Sequence, residues 1–171
     1  MKIVYMGSKQ AGMVGLLTVR ADGHEILAAV CYDDALAVIC RRIGIKVFDD
    51  INSWKVEVFL RYADLIVSVH GRQIVRWETL EETYYGGINL HPCLSEYKGA
   101  RPIDRMLADG KTRASVGAHW MTEEVDLGGT IVENFIEVNG RTPVEVYNEL
   151  YPLYSLTLLQ ALLKVRGIDG D

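Results

Sequence analysis

Cysteine, phenylalanine and proline are scarce in this chain, at 3, 3 and 4 of 171 residues. The cysteines, Cys31, Cys40 and Cys93, are odd in number and far apart, with no CxxC pair. That spacing excludes a disulfide framework and a zinc knuckle. So little proline, beside 49% apolar residues, excludes a disordered or collagen-like chain. Long hydrophobic runs are missing too. The longest, Ile26–Cys31 and Leu65–Val69, have strand length and fall well short of the ~18 residues of a membrane helix. No membrane partner is expected. The apolar part of Met1–Gly7 is too short for a signal peptide, so a reduced, cytoplasmic enzyme is expected. Positive charge is also short, 18 basic against 23 acidic residues for a net charge of −5, which disfavours nucleic acid as a partner.

What is present reads as one domain over residues 1–171, with neither repeat nor linker. Lys2–Met6, Glu25–Cys31, Lys46–Phe48 and Asp64–Val69 are Val- and Ile-rich runs of strand length. Such near-continuous apolar runs suit a parallel sheet covered on both faces. Between them Gln10–Arg20, Asp33–Ile43 and Asn52–Tyr62 have helix length. The alternation predicts a Rossmann-like α/β fold: three layers, with a mostly parallel, mixed sheet of about seven strands. Farther on, 7 of the 16 glycines fall between Gly86 and Gly129 and separate strands at Gly87–Leu90, Ala114–Met121 and Thr130–Val138. The facing of Ser115–Trp120 does not follow from period-two alternation. Pro102–Ala108 reads as a short helix with proline in its first turn. Thr142-Pro143-Val144-Glu145 is a capping box that starts a final apolar helix, and Pro152 predicts a kink or break inside it.

Two stretches carry chemistry. Gly7-Ser8-Lys9-Gln10-Ala11-Gly12 joins the first strand to the first helix, where free backbone N–H groups can meet an anion. Its spacing matches neither GxGxxG nor a Walker loop, so a tight turn with close helix–strand packing stands beside an anion contact. In Gly87-Ile88-Asn89-Leu90-His91-Pro92, Asn89 and His91 lie two apart and share one face of a strand. A carboxamide beside an imidazole can donate to a developing oxyanion, as acyl transfer requires. Asp126, in the glycine-flanked Val125–Gly129, can come near that strand end to orient His91 or relay protons.

The run Gly87–Leu94, then Tyr97-Lys98-Gly99-Ala100-Arg101-Pro102-Ile103, then His119-Trp120-Met121 and Asp126-Leu127-Gly128, resembles the formyltransferase family that uses N10-formyltetrahydrofolate. That family carries a GxINxHPSLLPxYRGAxPI segment and a later [LI]D[TG]G segment, and this chain follows both in order with departures, Val125-Asp126-Leu127-Gly128 standing at the second. Ala63–Ile74 is similar to that family's strand and pocket loop. The likeness spans roughly residues 1–165 and is densest between 86 and 130. It implies formyl transfer to a primary amine, with Asn89, His91 and Asp126 catalytic and His119 supporting. It further implies a folate cleft edged by Gln73, Ile74 and Val75 and by Thr122, Glu123, Glu124, Val125 and Asp126. No metal is implied.

The sequence departs from the family pattern beside His91, where Cys93-Leu94-Ser95-Glu96 is one residue shorter, and at Lys98, which stands for the usual arginine. Two other chemistries are open to these residues, a Cys93–His91 hydrolase and a zinc site from His91, His119, Asp126 and Cys93. Neither has supporting spacing. For the acceptor, Gly7-Ser8-Lys9-Gln10 lacks the Gly-Ser-Asn loop of glycinamide ribonucleotide formyltransferases. The length lacks the extra domain of methionyl-tRNA formyltransferases. The expected acceptor is therefore a small amine, phosphorylated or nucleotide-linked, such as an amino sugar. Formyl transfer to glycinamide ribonucleotide or methionyl-tRNA, formyltetrahydrofolate hydrolysis and non-catalytic folate binding are the alternatives. Tyr147, Tyr151 and Tyr154 offer the last helix a homodimer contact, against the alternative of packing on its own sheet.

Overall fold

A computed structural model describes Met1–Gly167. Seven strands form one sheet: β1 (Lys2–Gly7), β2 (Glu25–Cys31), β3 (Lys46–Phe48), β4 (Leu65–Val69), β5 (Gly87–Pro92), β6 (Arg113–Trp120) and β7 (Thr130–Glu137). Their order is β3-β2-β1-β4-β5-β6-β7. The first five pair in parallel, whereas β5–β6 and β6–β7 are antiparallel. The Rossmann-like, mostly parallel expectation holds.

Strand alternation divides the core. Ile3 and Tyr5 of β1 and Leu65, Val67 and Val69 of β4 pack on one face with helices α1 (Lys9–Ala21), α2 (Asp34–Arg42), α5 (Pro102–Ala108) and α6 (Pro143–Val165). Val4, Met6 and Ile66 face the other way, toward α3 (Trp54–Leu60) and α4 (Trp77–Glu81). On β5, Ile88 and Leu90 join the first cluster, so Asn89 and His91 point from the opposite face.

Most sequence boundaries hold to within two residues. Glu25–Cys31, Lys46–Phe48 and Pro102–Ala108 match fully, and the Thr142 capping box is made with Glu145. Pro152 lies inside one continuous α6 and does not divide it into two helices; the burial of Leu150, Leu153 and Tyr154 outweighs the missing N–H. The uncertain segment Ser115–His119 is buried throughout, because α6 covers one side of β6. The sheet order reverses between β1 and β4, and a crevice opens there at the carboxyl ends of the strands. Among the described residues no helix is long and apolar enough to cross a membrane.

Candidate active site

That crevice is a cavity of about 510 Å³, within the range of small-molecule sites. Asn89, His91, His119 and Asp126 all line it. Three elements place them. β5 presents Asn89 and His91 on one face, and antiparallel pairing sets His119 opposite Asn89. The register of β6 on β7 shifts between Ala118 and His119, a local irregularity of the kind found beside functional sites.

Asp126 comes from the turn between β6 and β7 and is itself left-handed, with φ of 56°. Gly128 explains how that turn stays down. A Cβ there would lie 1.8 Å from the Trp120 carbonyl oxygen, so only glycine permits the approach that brings Asp126 over β5. The Asp-x-Gly spacing is thus a packing requirement.

The carboxylate of Asp126 is 7% exposed and ties the group together. Oδ2 accepts from the Gly99 N–H at 2.8 Å and lies 3.2 Å from His91 Nε2. Oδ1 lies 3.3 Å from His119 Nε2 and 3.5 Å from Asn89 Nδ2. Burial pushes this carboxyl up, but the His119 hydrogen bond, the His91 charge and the Gly99 N–H outweigh it, and it sits below its ordinary value. It is ionised at neutral pH.

Hydrogen-bond logic assigns the protons. His91 Nε2 is 3.0 Å from the Gly99 carbonyl, which can only accept, so Nε2 carries a hydrogen. His91 Nδ1 is buried and has no partner. Burial lowers the affinity of His91 for a second proton, against the pull of Asp126, so the ring rests neutral near pH 7. On His119, Nδ1 donates to the Trp120 carbonyl at 2.8 Å. Its Nε2 accepts from Asn89 Nδ2 at 3.2 Å when the ring is neutral and donates to Asp126 when it is charged.

The other proposed residues separate. Ile74, Val75, Thr122, Glu124 and Val125 line the cavity, whereas Glu123 is exposed and does not. Gln73 lines it as well, yet its amide is spent on the fold. Its Oε1 accepts from the Tyr32 hydroxyl and the Ile51 N–H, each at 3.0 Å, and its Nε2 donates to Asp50 at 3.2 Å. The Cys93 thiol lies 3.8 Å from Met106 sulfur in the core, and burial pushes its pKa up. Cys93 is therefore placed neither as a nucleophile nor as a fourth ligand beside His91, His119 and Asp126. Of the three tyrosines of α6, Tyr154 is fully buried and Tyr147 lines the cavity, so the helix packs on its own sheet.

Sequence reasoning marked the Gly7–Gly12 loop and the Ala63–Ile74 stretch but gave no individual role at the site to Lys9, His70, Arg72 or Tyr147, all of which line the cavity, as does Arg101. Lys9, His70 and Arg101 all have positive φ, between 54° and 59°. Arg101 pairs with Asp104 at 2.9 Å, whereas Lys9 and Arg72 have no ion pair among the described residues. The Gly7–Gly12 turn is tightly packed, since a Cβ on Gly12 would fall 3.2 Å from the Gly7 backbone, and its Ser8 and Lys9 line the cavity.

Comparison with known proteins gives consistent findings. The family described as "Formyl transferase" matches residues 53–162. A methionyl-tRNA formyltransferase of a Synechococcus strain is 30% identical over 99% of this chain and 54% of its own length. One from Fusobacterium nucleatum is 27% identical over 95% of this chain and 58% of its own. The chain thus spans about half the length of the curated relatives it matches. In fold it is similar to phosphoribosylglycinamide formyltransferase from Anaplasma phagocytophilum, at TM-score 0.82 and 16% identity over 98% of this chain and 88% of that one. It is also similar to a formyltetrahydrofolate deformylase from Pseudomonas syringae, at 0.78 and 18% over 97% and 61%.

Proposed function

Because the chain belongs to the formyl transferase family, we propose that it moves a formyl group from N10-formyltetrahydrofolate to the primary amine of a small, negatively charged acceptor, a nucleotide-linked amino sugar or similar. The observation that carries this reading is the convergence of Asn89, His91 and Asp126 on one side of one cavity, with the single carboxylate within 3.5 Å of the other two. The folate fits the apolar part of that cavity, edged by the backbone of Gln73–Val75 and of Thr122–Asp126. Side-chain identity at Glu123 is then immaterial.

The chemistry follows from the protons. The acceptor nitrogen attacks the formyl carbon, a C–N bond forms, and the carbonyl oxygen becomes negative. His91 Nε2–H, now given to Gly99, and the Asn89 Nδ2 hydrogen that makes the long 3.5 Å contact with Asp126 are the donors free to turn to that oxygen. The His91 ring meets that negative charge as a neutral Nε2–H donor, and Asp126 holds the ring in place. One proton then leaves the attacking nitrogen through Asp126 and water, one arrives at N10, and the C–N10 bond breaks. The products are the formamide and tetrahydrofolate.

The acceptor class rests on Lys9 and Arg72, two cations that line the cavity and have no ion pair among the described residues. The test is an acceptor screen with purified protein and N10-formyltetrahydrofolate, following loss of the formyl group with and without each amine. Turnover that needs a charged small amine supports the reading. Transfer confined to glycinamide ribonucleotide would narrow the acceptor to that nucleotide, and equal consumption without any amine would make the protein a hydrolase.

A further inference from the structure

His70, at the carboxyl end of β4, takes no part in the chemistry above, yet it lines the same cavity. Its backbone and its ring are both held. The residue is left-handed, with φ of 57°, and its carbonyl accepts the Ser8 hydroxyl at 2.7 Å. The ring stands edge-on to Tyr147 and Tyr154, with centroids 5.4 and 5.5 Å away. Its Nε2 lies 2.7 Å from the hydroxyl of Tyr154, a side chain with no exposure at all.

The direction of that hydrogen bond can be deduced. The Tyr154 hydroxyl has no other partner among the described residues. If Nε2–H donated to it, the phenolic hydrogen would be buried without an acceptor, which is costly. Tyr154 therefore donates, and Nε2 accepts. A neutral imidazole that accepts at Nε2 carries its hydrogen on Nδ1. That Nδ1 makes no bond among the described residues and is not among the buried unpartnered atoms, so it opens on the cavity. Burial first, then the neighbouring Lys9 and His91, hold the ring down to about 4, so it is neutral.

We propose that His70 is a specificity-determining residue, presenting an Nδ1–H donor to an anionic oxygen of the acceptor, with its tautomer fixed by Tyr154. This deepens the reading above and takes from it only the identity of the cavity. The oxygen can belong to a phosphate or to a carboxylate, since both accept without donating. A neutral, pinned N–H discriminates against hydroxyl or ammonium groups less than a second cation would, but it fixes where the oxygen sits, and so where the amine points.

The test separates this claim from formyl transfer. Nitrogen-15 spectra of the histidine rings give the tautomer directly: an Nδ1–H signal for His70 is expected, and an Nε2–H signal overturns the proposal. Inorganic phosphate and acetate are then titrated into the unliganded protein. Movement of the His70 Nδ1–H resonance with phosphate, with acetate, or with both supports the donor and names its preferred oxygen. No movement with either sinks it, whatever the enzyme assay shows. His70→Phe should weaken the responding anion about tenfold, the effect of one charge-assisted hydrogen bond, while His70→Gln, which keeps an N–H, should restore most of it. In kinetic assays the loss in His70→Phe should fall on KM for the acceptor, not on KM for the folate. Equal binding by the Phe and wild-type proteins refutes the role.

Discussion

The two sides of the cavity are held in place by different means. On the β5–β6 side, side chains hold one another. Asp126 serves Asn89, His91, His119 and the Gly99 N–H, and most hydrogen-bonding atoms there are already engaged. On the other side, the backbone does the placing. Lys9, His70 and Arg101 reach the cavity from left-handed positions, and the Lys9 and Arg72 cations have no ion partner among the described residues. A closed network fixes geometry for charge that develops during a reaction, whereas unpaired cations on fixed backbone suit a charge that arrives with the ligand. Damage to the first side should therefore act on turnover and damage to the second on affinity.

The largest effects should come from the network. Asn89→Ala, His91→Ala and Asp126→Ala are each expected to lower kcat by ~10²–10³ or more while circular dichroism stays native. Near-normal turnover by any one of them removes that residue from the chemistry. Breaking the turn instead of the carboxylate should act almost as strongly. Gly128→Ala places a Cβ 1.8 Å from the Trp120 oxygen, so the turn must lift Asp126 away, with a stability loss of about 1–3 kcal/mol. The neighbouring Gly129→Ala, whose nearest contact is at 3.9 Å, should pass both a denaturant titration and a rate assay unchanged.

The second side has its own signature in pH. Burial, and then Lys9 and His91, bring the His70 ring down to about 4 from 6.5. Between those two values the unfolded chain takes up a proton that the folded chain refuses, so stability falls as pH drops from 6.5 towards 4 and levels off below. The share owed to His70 is roughly 3 kcal/mol, and urea midpoints of His70→Gln should lack it. His91, lowered in the same sense, leaves a smaller slope behind. The smallest effect is the most selective one. Lys9→Ala or Arg72→Ala should raise KM for a charged acceptor about tenfold with kcat nearly kept, and added salt should shrink the difference.

The same division marks what could be read from the chain. Asn89 and His91 are legible because strand period two is a local rule, and Asp126 because its Asp-x-Gly turn has a sequence signature. Lys9, His70 and Tyr147 meet only through crossovers that span some 60–80 positions, and no periodicity encodes such a meeting. Gln73 shows the reverse failure. Its place on the pocket loop was legible, but its commitment to Tyr32, Ile51 and Asp50 depends on tertiary contacts. At Pro152 the local rule allowed a break, and burial of the surrounding residues keeps the helix continuous through it.

Five residues other than glycine adopt positive φ, and four of them, Lys9, His70, Arg101 and Asp126, border the cavity. Each such conformation costs on the order of 1 kcal/mol that a glycine would not incur. The molecule is consequently less stable than its own backbone would permit. Selection for thermal tolerance alone would be drawn to these four positions first, and every gain made there would erase a side chain that lines the cavity.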